Sequence, residues 1–131
     1  MAHLHSVEFA AHTTRLFLDG RGLDGTDLDS GVLGMTVPQQ GSFYGLPWMM
    51  GMAAAGHVAG PTISQACATG ARVLAVASGE VHTGVAECVL TVTADRVSNG
   101  PQIRYPDPAD SGGAGAEEDW VMDNFGCDPF A

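Results

Sequence analysis

The chain has 131 residues, 45% of them hydrophobic, which fits one packed domain rather than two independent ones. Its 15 acidic and 5 basic residues give a net charge of −10, which disfavours binding to nucleic-acid phosphates. The 3 cysteines lack metal-site spacing and are odd in number for a disulfide framework, and no apolar run has the length of a membrane span. We therefore expect a cytoplasmic protein with no metal, membrane or nucleic-acid partner.

Hydrophobic spacing predicts three elements in the first half of the chain. Residues 6–18 have apolar or small side chains at helical intervals, with Ser6 as the expected N-cap and Gly20 as the stop. Residues 32–37 predict a short buried strand. Residues 43–56 predict a second helix, in which Pro47 is tolerated because it falls near the first turn.

The second half continues the alternation. A strand is expected at 61–65, a helix at 68–81 and a strand buried on both faces at 86–94. Alternating helices and strands indicate the α/β class, with a mainly parallel sheet and helices on both faces. From Ser98 onward the sequence is rich in proline, glycine and acidic residues, which predicts an irregular segment.

Cys67 is the candidate catalytic residue. If one strand ends near Ala66 and the next helix begins near Ala68, Cys67 lies on a strand-to-helix turn. Free N–H groups and the helix dipole favour a thiolate there, and the same N–H groups can hold an oxyanion. Free cysteines are also among the most buried residues, so a core position is the alternative. We expect Cys88 to be a core residue in mid-strand and Cys127 to lie in a loop.

A cysteine nucleophile needs a base, and none of the five histidines is identifiable as one. His82 lies about 22 Å along the helix from Cys67 at the helical rise per residue. His57 lies beyond the other end of the strand, about 20 Å away. His3, His5 and His12 belong to the first helix or its lead-in and are expected to be solvated surface residues.

The stretch from Pro61 to Pro101 resembles the nucleophile region of thiolases, which are acyl-CoA acyltransferases. The likeness consists of a strand, the run ACATG, an alanine-rich helix, the turn GVAE, an apolar strand and the exit SNGP. Upstream, SGVLGMTVPQQG and FYGLPWMMGMAAAG resemble the second strand and second helix of the same half. Downstream, GGAGAEEDWVMDNFGCDPFA resembles the start of the loop domain that covers the thiolase active site.

The resemblance implies a partial thiolase-type fold, with residues 1–100 as a partial N-terminal core domain and 101–131 as the truncated start of the loop domain. Cys67 matches the acyl-accepting nucleophile, and its backbone N–H matches part of the oxyanion hole. The base histidine, a second cysteine and the remaining oxyanion groups belong to the C-terminal half of full-length members. That half and the usual first strand have no counterpart here, and Arg104 is an unassigned cation in the loop-domain opening. We expect an N-terminal fragment, a truncated product or one subunit of a split enzyme.

The implied reaction is thiolytic cleavage or Claisen condensation of acyl-CoA thioesters, as in fatty-acid β-oxidation. Coenzyme A is then a substrate, no cofactor is bound, and the expected partner is a second copy or a separate C-terminal-half chain. Two alternatives stay open. The run ACATG also occurs in β-ketoacyl synthases, although the segment after Ser98 favours a thiolase, and the missing base is compatible with an inactive thiolase-like scaffold subunit.

Overall fold

Helices and strands alternate along the part of the chain that the structure describes. The chain divides into two units, Met1–Gly100 and Pro101–Ala131, and a computed structural model describes residues 3–96, all in the first unit. The predicted loop domain, with Arg104 and Cys127, lies outside these residues. The elements are α1 (Ser6–Asp19), β1 (Ser30–Gly34), α2 (Leu46–Met52), β2 (Thr62–Ile63), α3 (Thr69–His82) and β3 (Val89–Thr93). This order confirms the predicted alternation.

The three strands form one parallel sheet in the order β2-β1-β3. Adjacent residues of a strand point to opposite faces, so Val32 and Leu33 of β1 enter different parts of the core. Leu33 packs in a cluster with buried residues of α1 and α2, whereas Val32 packs against Val73 and Ala77 of α3. The described residues thus confirm an α/β fold with a parallel sheet and helices on both faces.

The start of α1 differs from the prediction. Ser6 is the first helical residue, and His5 is the N-cap because its backbone is extended and its ring accepts a hydrogen bond from the Val7 N–H. The helix ends at Asp19, with Gly20 as its C-cap, as expected. The helical spacing places Phe17 on the buried face, but its side chain is half exposed, and the Arg21 guanidinium lies 4.5 Å from the centre of its ring.

The second helix is shorter than predicted at both ends. It stops at Met52 because Ala54 adopts a left-handed φ of 63°, and it is interrupted near its start. Ser42–Tyr44 form a separate 3-10 turn, and Gly45 then adopts a φ of 51°, which favours glycine and cannot continue a helix. The α-helix begins at Leu46, with Pro47 in its first turn as expected.

The strands are also shorter than predicted, since other partners take up the backbone groups at their ends. β1 begins at Ser30 and stops at Gly34, and the N–H groups of Thr36 and Val37 bond to the Asp95 carboxylate instead of a strand. β2 has only two residues. The prediction that β3 is buried on both faces is wrong, because Leu90 is the one buried residue within it and Thr93 is exposed.

Candidate functional site

The loops that follow β1 and β3 meet at the carboxyl edge of the sheet. Asp95 follows β3, and its carboxylate accepts hydrogen bonds from the backbone N–H groups of Thr36 and Val37 at 2.8 and 2.7 Å. The Thr36 hydroxyl donates a further bond to Asp95. The carboxyl ends of parallel strands lie at one edge, so the turn after β2 belongs to the same edge.

Cys67 lies in the turn after β2. Ala66–Ala68 form one 3-10 turn that leads directly into α3, and the Cys67 thiol is exposed. The strand-to-helix placement that the sequence predicts is therefore present, although β2 ends at Ile63 rather than near Ala66. The alternative of a buried core cysteine does not apply to Cys67, and its role as a nucleophile stays a prediction.

The backbone before Cys67 is strained. Ala66 has a φ of 44°, in the left-handed region that residues with a Cβ avoid. Such a conformation costs about 1–3 kcal/mol and persists only where its surroundings hold it. Here the neighbouring hydrogen bonds supply that restraint, because the Ala66 carbonyl accepts from both the N–H and the hydroxyl of Thr69.

Thr69 links the turn to the sheet. Its Oγ1 donates to the Ala66 carbonyl and accepts from the Gln65 N–H, each at 2.8 Å. Its methyl group packs over Gly34, where a Cβ added to the glycine would lie only 2.8 Å from Thr69 Cγ2. Thr69 is only 5% exposed. The hydroxyl thus holds Thr69 to the turn, and the methyl group holds it to the sheet. Cys67 lies within the segment from Gln65 to Thr69 that these hydrogen bonds close.

Within residues 3–96, the groups on either side of Cys67 have hydrogen-bond partners, whereas the Cys67 N–H has none. The Ala68 N–H donates to the Gln65 carbonyl at 2.9 Å, and the Arg72 Nε donates to the Gln65 side chain at 2.8 Å. No residue within 3–96 accepts a hydrogen bond from the Cys67 N–H. An N–H group without an acceptor, placed beside a thiol, is what an oxyanion hole requires.

The two histidines that flank the central elements are remote from Cys67. α3 is unbroken over its 14 residues and His82 is the last of them, so helix geometry places it about 20 Å from the turn. His57 precedes Ala59, which pairs with Ser30 at the beginning of β1. His57 therefore lies at the amino-terminal edge of the sheet, opposite Cys67.

The histidines near the amino terminus also make no hydrogen bond with Cys67. His3 and His12 are exposed, as predicted. The prediction that His5 is a solvated surface residue is wrong: it is half-buried, caps α1, bonds to the Gln40 carbonyl and packs edge-to-face with Trp48. Within residues 3–96, none of the five histidines is placed as a base for the thiol.

Cys88 has a structural environment. The sequence predicts it in mid-strand, but it lies just before β3, because its N–H donates to the Asp29 carboxylate at 2.9 Å rather than to a strand. Its side chain is half-buried and packs against the core cluster of α1 and α2. Cys67 is therefore the more accessible of the two described thiols.

Two carboxylates near the amino-terminal edge of the sheet have altered acidity. Hydrogen bonds from the backbone N–H groups of Cys88 and Glu87 lower the pKa of Asp29. The hydroxyl and then the N–H of Thr26 lower the pKa of Asp24. Asp24 also takes part in a capping box with Asp27. The carboxylates of Asp24 and Asp29 therefore each hold a loop in place.

The described residues contain no group of three or more histidine, cysteine or acidic side chains arranged to hold a metal ion. Among the same residues, no helix is both long and apolar enough to cross a bilayer.

Sequence reasoning does not identify Thr69 and Asp95 as residues that organise this edge. In the sequence, Thr69 is only a small residue after the cysteine, and Asp95 is only part of the chain after a strand. The hydrogen bonds of Asp95 reach 58 and 59 positions back along the chain. No local pattern indicates a contact of that range.

No protein-family model matches the chain, and no curated protein matches it.

Proposed function

We propose that the chain is part of a thiolase-type acyltransferase in which Cys67 receives the acyl group. The observation that carries the proposal is the exposed Cys67 thiol on the turn between β2 and α3, beside its own N–H, which has no acceptor within residues 3–96. A thiol at this place combines attack on a carbonyl carbon with stabilisation of the oxyanion that results. The resemblance of the ACATG segment to thiolases adds the substrate class, acyl-CoA.

The reaction divides into two acyl transfers. The Cys67 thiolate attacks the thioester carbonyl of acyl-CoA, or the 3-keto carbon of a 3-ketoacyl-CoA. The tetrahedral intermediate collapses by expelling the CoA thiolate in the first case and the acetyl-CoA enolate in the second, and each leaving group is then protonated. The acyl group on sulfur passes next to the sulfur of coenzyme A, whose thiol gives its proton to a base, or to the α-carbon of a second acyl-CoA that has lost a proton to a base. The first transfer consumes the Cys67 thiolate and the second returns it.

The proton transfers require a base in addition to Cys67. The Cys67 N–H supplies one donor to the oxyanion, but no histidine within residues 3–96 is placed to accept the thiol proton or to deprotonate a substrate α-carbon. We propose that this base comes from a C-terminal-half chain or from another copy in an oligomer. A β-ketoacyl-synthase-like reaction uses the same acyl-cysteine and differs in the acceptor.

A second candidate function is a scaffold subunit without activity, and the lack of a base near Cys67 among residues 3–96 favours it. Purifying the chain from its own cells separates the two. An enzyme subunit co-purifies with a chain that supplies the missing histidine, and the complex cleaves 3-ketoacyl-CoA in the presence of CoA. Replacing Cys67 with serine should abolish that cleavage, whereas Cys88→Ser, the matched control, should retain it. A complex that retains full cleavage with Cys67→Ser would overturn the proposal.

A further inference from the structure

We propose that a cavity beside α1 binds a small zwitterion, namely a free α-amino acid with an apolar side chain. The cavity has a volume of about 280 Å³ and lies between α1, the 3-10 turn Gly25–Asp27 and the segment that follows α2. Its lining shares no residue with the turn that contains Cys67. The inference is therefore independent of the function proposed for Cys67.

The walls of the cavity are held in place by contacts within the protein. A capping box with Asp24 closes the 3-10 turn Gly25–Asp27. Gly25 packs tightly against the segment after α2, because a Cβ on Gly25 would lie 2.7 Å from Ala55 Cβ and 2.8 Å from the Ala54 carbonyl oxygen. A cavity that is formed in advance spares a ligand the cost of ordering its walls.

Charged side chains of both signs line the cavity. Arg15 and Asp19 are one helical turn apart on α1, a spacing at which opposite charges commonly pair. Within residues 3–96, however, neither side chain forms an ion pair or a hydrogen bond. Asp24 adds a second carboxylate, whose pKa the hydroxyl and then the N–H of Thr26 lower. A ligand with both a positive and a negative group can pair with these side chains.

The balance of charge selects the class of ligand. One arginine and two aspartates give the lining a net charge of −1, and the whole chain carries −10. Anions, including the phosphates of coenzyme A, are therefore disfavoured here. A simple amine would leave Arg15 without a partner. An α-amino acid carries its carboxylate and its ammonium group on one carbon, so it can bridge Arg15 to the aspartates.

The apolar part of the lining fits an aliphatic side chain. Leu18 and Ala53 are each 4% exposed, so they form the floor of the cavity, and Leu23 is partly exposed at 36%. Covering this apolar surface favours binding. The charged groups remain close to water and contribute little affinity each, so we expect a dissociation constant of about 1 mM for L-leucine.

Amide NMR of the chain during titration with L-leucine tests the site. The signals of Leu18, Thr26 and Ala53 should shift together. Two analogues separate the roles of the charges, since 4-methylpentanoate lacks the ammonium group and 3-methylbutylamine lacks the carboxylate. Each analogue should bind about tenfold more weakly than leucine. Equal binding of all three compounds, or no shift with leucine at about 20 mM, would show that the cavity recognises no zwitterion.

Matched variants assign the binding to the cavity. Arg15→Gln and Asp19→Asn each remove one charge from the exposed surface of α1, so the fold should persist while the affinity for leucine falls about tenfold. Arg21→Gln is the control and should leave the affinity unchanged, because Arg21 lies over the Phe17 ring. Unchanged affinity in both cavity variants would contradict the proposal. If neither variant folds, the order of affinities among leucine and its two analogues decides the matter on the wild-type chain.

Discussion

At the scale of single residues, Thr69 determines how the chain presents Cys67. Its hydroxyl bonds to Gln65 and Ala66 on one side of the cysteine, and its methyl group rests on Gly34 of the sheet. Ala66 needs this support because of its φ of 44°. A hydroxyl with two hydrogen bonds in a buried position is difficult to replace, since its loss leaves the Gln65 N–H without an acceptor.

The substitution Thr69→Val tests that role because valine keeps the shape and removes the hydroxyl. We expect the free energy of unfolding, measured by urea titration, to fall by about 1–2 kcal/mol. Alkylation of Cys67 by iodoacetamide should also slow at neutral pH, because the turn relaxes. Thr69→Ser keeps the hydroxyl and should retain the alkylation rate. Equal alkylation rates in the valine and wild-type chains would show that the hydroxyl does not position the thiol.

Sequence patterns predict where Cys67 lies but not the contacts that hold the loops around it in place. The change from a strand pattern to an alanine-rich helix marks the turn, and an exposed cysteine is found there. The φ of Ala66 and the tie from Asp95 to Thr36 depend on groups that meet only after folding. The prediction for His5 fails for the same reason, because both Gln40 and Trp48 are distant in sequence.

At the scale of elements, one carboxylate oxygen joins the chain segments just before β1 and β3. Asp29 Oδ2 accepts from the N–H groups of Glu87 and Cys88, at 2.8 and 2.9 Å, so it ties the start of β1 to the start of β3. These bonds favour the ionised form, which is why the pKa of Asp29 lies below its ordinary value of 3.8.

The lowered pKa of Asp29 predicts part of the acid sensitivity. Its contribution to stability is complete above the unfolded-state value of 3.8 and is lost as the pH falls through the lower folded-state value. In Asp29→Asn the amide oxygen can still accept both bonds but does not titrate, so this part of the acid dependence should disappear. Thermal unfolding between about pH 5 and 2 measures it. Identical pH profiles for the variant and the wild type would contradict the assignment.

The contact between β1 and α3 leaves no room for another atom. A Cβ on Gly34 would lie 2.8 Å from Thr69 Cγ2, 2.9 Å from Val73 Cγ2 and 3.0 Å from Thr93 Cγ2. We expect Gly34→Ala to lower the free energy of unfolding by about 1–3 kcal/mol, as overpacking does. Gly70→Ala is the control, because nothing lies within 4 Å of its Cβ position and alanine favours a helix. Equal or greater stability of Gly34→Ala would contradict the packing.

The order of elements is predictable from the sequence and their lengths are not. Hydrophobic period distinguishes helix from strand within a segment, and the observed order of helices and strands agrees with it. The ends are decided by partners elsewhere in the chain: Asp95 takes the N–H groups after β1, and the left-handed Gly45 separates the 3-10 turn from α2. Neither cause is visible in the local pattern.

At the scale of the whole molecule, the described unit holds a candidate nucleophile without a base. From the sequence alone, helical rise and strand length exclude His82 and His57 as bases for Cys67. The structure places both histidines away from the turn that contains Cys67. The distances can be estimated from the sequence because α3 is unbroken and the sheet is parallel.

The unit also has surfaces that fit assembly with another chain. Among residues 3–96, β2 and β3 are the two outer strands of the sheet. Phe43 and Tyr44 form an exposed aromatic pair with ring centroids 5.3 Å apart. Open strand edges and exposed aromatic side chains favour association. These surfaces are compatible with the proposal that a second chain supplies the base for Cys67.

Acyl transfer to Cys67 is the most direct test of this account. The chain, assembled with the partner that co-purifies with it, is incubated with isotopically labelled acetyl-CoA, digested and examined by mass spectrometry. We predict the label on the peptide that contains Cys67, with no label there in Cys67→Ser and unchanged labelling in Cys88→Ser. A complex that is active in thiolysis but carries the acyl group on another residue would contradict the account.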